Sequence, residues 1–282
     1  MSLARTLAFL LCTVMTTGAA PRILVHGHRG ARTVLPENTL PAFEYAIREG
    51  ADVLELDLWV TADNILVVHH DPLINTAICE GPGGERTIRK LTLEQVKQWD
   101  CGAKKNPDFP RQEPRPGTRI PTLDEVLALA PRGSFWFNIE MKSQPAKPEL
   151  QPPAEDYAKL VAETVRRHGL ENRVIVQSFD FALMRALHQV APELRRAALY
   201  AGLPREFTEL SREAGNTPIV SPHYSLVTPE RVKQAHEAGL QVVPWTANTA
   251  DAWDRLIAAG VDAIITDDPK GLIDHLRARG LR

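Results

Sequence analysis

The feature that most constrains this chain is a repeated exchange between two hydrophobic periods. Short β-rich runs occur at Ile23–His26, Val53–Trp59, Phe135–Met141, Val174–Ser178, Arg196–Tyr200, Ile219–Ser221, Val242–Thr246 and Ala263–Thr266. Longer amphipathic stretches lie between them, among them Leu40–Arg48, Ala154–His168, Ala182–Val190, Glu230–Ala238 and Asp251–Ala259. The first kind has strand length and composition; the second repeats its apolar residues at helical spacing. Asp180, Thr228 and Asp251 stand where helices begin, and Gly50, Gly169, Gly239 and Gly260 where they stop. Eight strands alternating with helices in 282 residues predict an α/β fold, a (β/α)8 TIM barrel. A doubly wound open sheet is the competing architecture, but no G-x-G-x-x-G fingerprint supports it.

One segment breaks the rhythm. Between Leu73 and Pro121 the chain carries Pro82, Pro107, Pro110, Pro114, Pro116 and Pro121, the closely spaced Gly81, Gly83 and Gly84, and one short helical pattern, Thr92–Trp99. Such a stretch predicts an insertion at about 73–121, after the second strand region, lying over one end of the barrel. A second proline-rich loop, Gln144–Pro153, follows the third strand. Both leave from strand ends, the face on which barrels build active sites.

The N-terminus has a different character. Arg5, the apolar run Leu7 to Met15 and the small residues Thr16 to Ala20 have the order of a secretory signal peptide, expected over 1–19 with cleavage after Ala19. The run is too short to span a bilayer, and Cys12 lies inside it rather than at its end, so no stable membrane anchor is expected after cleavage. A periplasmic or secreted protein follows, with 20–282 as one domain. In that compartment Cys79 and Cys101 are expected to form a disulfide, two free thiols being the alternative. The 33 basic and 35 acidic residues show no basic block, which argues against nucleic acid or an anionic membrane surface as partner.

Chemistry concentrates at strand ends. Glu55 and Asp57 alternate with Leu54, Leu56 and Leu58, so both carboxylates share one strand face. Two adjacent acids repel unless a cation lies between them, and a hard divalent metal is the natural resolution; pairing of each with a lysine or arginine is the plain alternative. Asn138, Glu140 and Lys142 repeat the pattern on the third strand, and Glu140 would complete a three-carboxylate site. Lys142 suits either a Schiff base or a phosphate cation, and beside three carboxylates its amine would stay protonated, which favours phosphate. His28, in His28-Arg29-Gly30, and His70, in His69-His70-Asp71-Pro72, flank Glu55 and Asp57 in the chain. Two histidines can accept one proton and donate another, as cleavage of a P–O bond to an alkoxide leaving group requires. His69 is expected to face away from His70 by strand alternation.

The stretch HRGARTVLPENTLPAFEYAIREGADVLELDLWVTADNILVVHHDP resembles the opening of the glycerophosphodiester phosphodiesterase family. The resemblance continues in Ile139-Glu140-Met141-Lys142, Gln177-Ser178-Phe179, Trp245-Thr246-Ala247-Asn248 and the stretch Gly260 to Pro269. It implies metal-dependent hydrolysis of a small-molecule glycerophosphodiester to sn-glycerol 3-phosphate and an alcohol. It further implies His28 and His70 as the catalytic pair, Arg29 and Lys142 on the phosphate, and Glu55, Asp57 and Glu140 on a divalent ion. That ion would be calcium or magnesium, and manganese fits the same oxygen ligands. Gln177 and Trp245 would shape the substrate pocket, with Trp245 on the glycerol, while Glu37 and Asn38 would fix the loop after the first strand. His69 departs from the family pattern, which often has an apolar residue there. Two other readings compete: a sphingomyelinase D or phospholipase D type of phosphodiesterase on a related barrel, and a catalytically inactive binding protein.

Overall fold

A computed structural model describes residues 22–282, so the expected signal peptide lies outside the described residues. Nine strands are present among them: β1 (Leu24–Gly27), β2 (Val53–Val60), β3 (Leu66–Val68), β4 (Trp136–Met141), β5 (Val174–Ser178), β6 (Arg195–Tyr200), β7 (Ile219–Pro222), β8 (Gln241–Val242) and β9 (Ala263–Thr266). Eight of them pair in parallel in the order β8-β7-β6-β5-β4-β2-β1-β9. Backbone bonds from Asp262 N to Val242 O (3.1 Å) and from Ile265 N to Pro244 O (2.9 Å) then bring β8 back to β9. The result is a nearly closed (β/α)8 barrel.

The last-but-one strand is shorter than its apolar run suggests. Regular strand covers Gln241–Val242, so only Val242 of the expected run Val242–Thr246 lies in it, and Pro244 has no N–H to extend the ladder. The short run ending at Val68 is β3, which turns back antiparallel on β2 with Val60 opposite Leu66 and Leu58 opposite Val68. It lies off the ring and carries the chain to His69 and His70.

The helices are α1 (Leu40–Glu49), α2 (Leu93–Val96), α3 (Leu123–Leu127), α4 (Ala154–Arg167), α5 (Phe181–Val190), α6 (Phe207–Glu213), α7 (Pro229–Glu237), α8 (Ala250–Ala259) and α9 (Pro269–Ala278). Side-chain oxygens of Asp180 and Thr228 cap α5 and α7. Thr249 caps α8, which places Asp251 inside its first turn. Gly50 and Gly260 end α1 and α8 in the left-handed region, at φ 90° and 81°.

Alternation sorts the strand residues. Leu54, Leu56 and Leu58 of β2, with Phe137, Ile139 and Met141 of β4, face outward and pack against α3, α4 and α5. Val25, Val220, Val242 and Ile264 do the same on the other side against α7, α8 and α9. Inside the barrel, Ile175, Ala197, Ile219, Val243, Ala263 and Ile265 form an apolar plug. The plug separates the two mouths. Residues 73–121 build a cluster of their own at one mouth, in which Ile74, Ile88, Val96, Trp99 and Ile120 meet Trp59 and Val67. Cys79 and Cys101 are buried in it and disulfide-bonded.

Candidate active site

Parallel register assembles the acids. Asp57 lies opposite Glu140 across β2 and β4, and Glu140 lies opposite Gln177 across β4 and β5. Glu55, Asp57 and Glu140 each present a carboxylate oxygen, and these lie within 4.8 Å of one another. All three are buried, at 1%, 1% and 7% exposure. Burial, then the charges of Asp57 and Glu140, push Glu55 well above the usual carboxylate range. Burial likewise raises Glu140, with Lys142 opposing and Asp57 adding to it. Burial would also raise Asp57, but Arg29, His70 and Lys142 outweigh it and hold Asp57 ionised.

The site also passes a test for a cation. Asp57 Oδ1 is buried and accepts no hydrogen bond among the described residues, with Lys142 Nζ 3.7 Å away, beyond hydrogen-bond reach, an incompletely satisfied state that a bound cation would relieve. Five acids, Glu37, Glu55, Asp57, Glu140 and Asp267, face three permanent cations, Arg29, Arg32 and Lys142. With Asp71 beside His70 the acids outnumber the permanent cations still further, an imbalance that a bound divalent ion would reduce.

The loop after β1 supplies the next groups. Arg29 has φ 51°, and its N–H donates to Glu55 Oε2 at 2.9 Å. Gly30 follows at φ 87°, where a Cβ would lie 2.8 Å from the α1 residue Ala42, so only glycine fits the turn. The Arg29 side chain reaches Glu37 Oε1 at 2.7 Å and Asp57 Oδ2 at 3.1 Å. Asn38 Nδ2 donates to Asp57 Oδ2 at 2.8 Å, so Glu37 and Asn38 brace this loop and its acids. Lys142 Nζ lies 2.9 Å from Glu140 and 3.7 Å from Asp57, and those charges outweigh burial to keep it a cation.

Both candidate histidines sit against carboxylates. His28 Nδ1 lies 2.5 Å from Asp267 Oδ1, and its Nε2 is 3.9 Å from Glu55 Oε2. Burial lowers its pKa, with Asp267 opposing. His70 Nδ1 lies 2.7 Å from Asp71 Oδ1. A carboxylate can only accept, so each Nδ1 carries the hydrogen and each Nε2 remains for other chemistry. His69 is buried away from this cavity, its Nδ1 receiving the Asp71 N–H at 3.2 Å. It also lies near Cys79 and Cys101, but sulfurs bonded to each other do not make that group a metal site.

These groups line a cavity of about 300 Å³ at the C-terminal ends of the strands, whose wall also includes Phe179, Leu199, Trp245 and Ile265. Trp245 is set edge-on to Phe179 with centroids 5.3 Å apart, and its indole N–H donates to Ser221 O at 2.9 Å. Gln177 borders the cavity but spends its amide on neighbours: it donates to Glu55 Oε1 at 3.1 Å and accepts from Asn138 at 3.0 Å. The structure thus gathers His28, His70, Arg29, Lys142, Gln177, Trp245, Glu55 and Glu140 around one cavity, with Asp57 buried directly behind. The sequence motifs assign no role to Asp267, Asp71, Arg32 or Phe179, although all four lie within them.

Comparison with known proteins agrees with this geometry. Residues 28–271 match the model of the glycerophosphoryl diester phosphodiesterase family. A glycerophosphodiester phosphodiesterase of Caldanaerobacter subterraneus subsp. tengcongensis is 36% identical over 260 residues, covering 92% of this chain and all of that protein. A solved structure from Silicibacter pomeroyi that carries the family's name superposes with a TM-score of 0.85 at 32% identity, over 93% of this chain and 96% of the other. An Oleispira antarctica phosphodiesterase, solved with the product sn-glycerol-3-phosphate, shares the fold at a TM-score of 0.77 and 23% identity, over 91% and 97% of the two chains.

Proposed function

The chain belongs to the glycerophosphoryl diester phosphodiesterase family, and on that footing we propose that it hydrolyses glycerophosphodiesters to sn-glycerol 3-phosphate and a free alcohol. The observation that carries this reading is the convergence of two histidine–carboxylate pairs and three clustered carboxylates on one cavity. Glu55, Asp57 and Glu140 would hold a divalent ion, calcium or magnesium, with manganese also suited to oxygen ligands. Such an ion, when bound, supplies positive charge against the phosphoryl oxygens.

The chain's own groups do the rest. Arg29 and Lys142 stay cationic because acids surround them, and they face the place where charge builds on the phosphoryl group. One histidine takes a proton from the nucleophile, either water or the substrate's own glycerol 2-hydroxyl. The other gives a proton to the departing alcohol. Trp245 offers an apolar face to the glycerol carbons. Gln177 acts by orienting Glu55. Export to the periplasm or medium is part of the proposal, supported by the leader-like residues 1–19 and by the buried disulfide.

The test is a comparison of substrates. Purified protein with calcium or magnesium is expected to release sn-glycerol 3-phosphate from glycerophosphocholine and to leave sphingomyelin and lysophosphatidylcholine intact. Turnover of the lipids in preference to glycerophosphocholine would move the chain to the sphingomyelinase D type of chemistry. Hydrolysis of none of them would leave a binding protein.

A further inference from the structure

Asp267 is the most tightly held acid near the chemistry that has no part among the carboxylates proposed for the metal. It follows β9 and points into the barrel, 5% exposed. Its Oδ1 takes His28 Nδ1 at 2.5 Å, and its Oδ2 takes Asn248 Nδ2 at 2.6 Å. Asn248 closes the clamp by accepting the Asp267 N–H at 2.9 Å. Thr33, in the loop that carries His28, donates its hydroxyl to Asp267 O at 2.7 Å. Arg32 stands farther off, its Nε 3.8 Å from Oδ1, too long for a hydrogen bond. The shortest contact of this acid is therefore to a histidine ring, and the rest of its surroundings fix the direction in which it points.

We propose that Asp267, clamped by Asn248, is a positioning residue for the reaction proposed above: it keeps the hydrogen of His28 on Nδ1 and the lone pair of Nε2 aimed into the cavity. The reasoning is geometric. A carboxylate accepts and cannot donate, so only the tautomer with hydrogen on Nδ1 satisfies a 2.5 Å contact. The ring is then oriented by its partner, as histidines at reactive sites commonly are. Asp71 likewise holds the hydrogen of His70 on Nδ1, less firmly since its side chain is 42% exposed, and leaves Nε2 of that ring able to carry the proton for the departing alcohol. Asp267 acts through His28 and does not itself touch substrate. The proposal rests on the phosphodiesterase reading for its kinetic consequence, though the tautomer can be observed without any turnover.

The decisive variant is Asp267→Asn. Its amide must keep the oxygen toward Asn248 Nδ2, which donates, so its NH2 faces His28 Nδ1 and drives the hydrogen to Nε2. With calcium present, kcat is expected to fall by about 10²–10⁴ while KM stays within a few-fold. Nitrogen-15 NMR of the imidazoles should show His28 switching from the Nδ1–H to the Nε2–H form. In Asp267→Ala, added formate should restore part of the lost kcat saturably, which a purely structural carboxylate would not allow. Should the Asp267 variants not fold, Asn248→Ala leaves the acid in place but unclamped, and a kcat loss of about tenfold at constant KM is expected. Wild-type kcat in Asp267→Asn, an unchanged His28 tautomer, or wild-type kcat in Asn248→Ala would overturn the proposal. If the wild-type protein cleaves no glycerophosphodiester, the functional reading fails alone, and the NMR comparison still decides the role of Asp267.

Discussion

The two mouths of the barrel make an instructive pair. The mouth at the strand N-termini holds the larger cavity, about 540 Å³, against about 300 Å³ at the other end. Arg22, Arg132, Arg195 and Arg282 border it with Asp52, Asp262 and His26. Most of these charges are already matched: Arg22 and Arg282 both pair with Asp52, and Arg132 pairs with Glu44. At the opposite mouth, acids outnumber permanent cations and a buried carboxylate oxygen has no hydrogen bond. What marks the reactive end is thus an excess of buried acids, not empty volume. The difference follows from the barrel itself, because parallel strands end in loops free to vary on the C-terminal side.

If that contrast is right, changes at the two ends should differ in kind. The largest effect is expected from His28→Ala and His70→Ala, each lowering turnover by about 10²–10⁴ with a melting curve close to wild type. Near-normal turnover in both would end the histidine assignment. Next comes the covalent tie under the reactive mouth. Replacing Cys79 and Cys101 together by alanine should cost about 3 kcal/mol of unfolding free energy, read from denaturant curves, for a link that spans 22 positions. A loss confined to activity with no change in stability would contradict this role for residues 73–121.

A smaller effect belongs to the barrel interior nearer the other mouth. Burial holds His26 down to about 3, so the folded protein refuses a proton that the unfolded chain accepts from about 6.5 downward. The unfolded state therefore binds more protons between those values, and His26 makes stability fall as pH falls through that window. The slope from one such site is at most about 1.4 kcal/mol per pH unit. His26→Gln should flatten the loss between pH 6.5 and pH 5 relative to wild type, measured by urea unfolding. A parallel pair of curves would show that His26 does not titrate in this way. The smallest effect is expected for Arg195→Ala at the same mouth, where the guanidinium meets Gln241 and the Trp136 ring. Turnover should stay within about twofold, a size usual for a surface change away from chemistry.

Much of this contrast is legible in the sequence. Strict alternation placed Glu55 and Asp57 on one face of β2 and Glu140 on the matching face of β4, because strand period is a property of the backbone. The (β/α)8 order followed from the same periodicities. What could not be read were relations set by closure of the ring. Asp267 and Asp268 are neighbours with identical side chains, yet one turns inward to His28 and the other caps α9 by accepting the Gly271 N–H. Only the position of β9 beside β1 distinguishes them. Likewise, the amide of Gln177 is committed to Glu55 through a register of three strands that no local pattern records. Phe179 belongs to a motif, but its edge-on contact with Trp245 joins residues 66 positions apart and depends on the barrel's curvature.

The most direct measurement is hydrolysis of glycerophosphocholine by wild-type protein and by Glu140→Gln, after EDTA and after stepwise return of calcium, magnesium or manganese. Activity is expected to vanish with EDTA and to return with at least one of these ions in wild type. Glu140→Gln should keep a wild-type melting curve and require at least about tenfold more metal, since one of three carboxylates has lost its charge. Full activity in EDTA, or equal metal requirement in the two proteins, would contradict the assignment of Glu55, Asp57 and Glu140 to a cation.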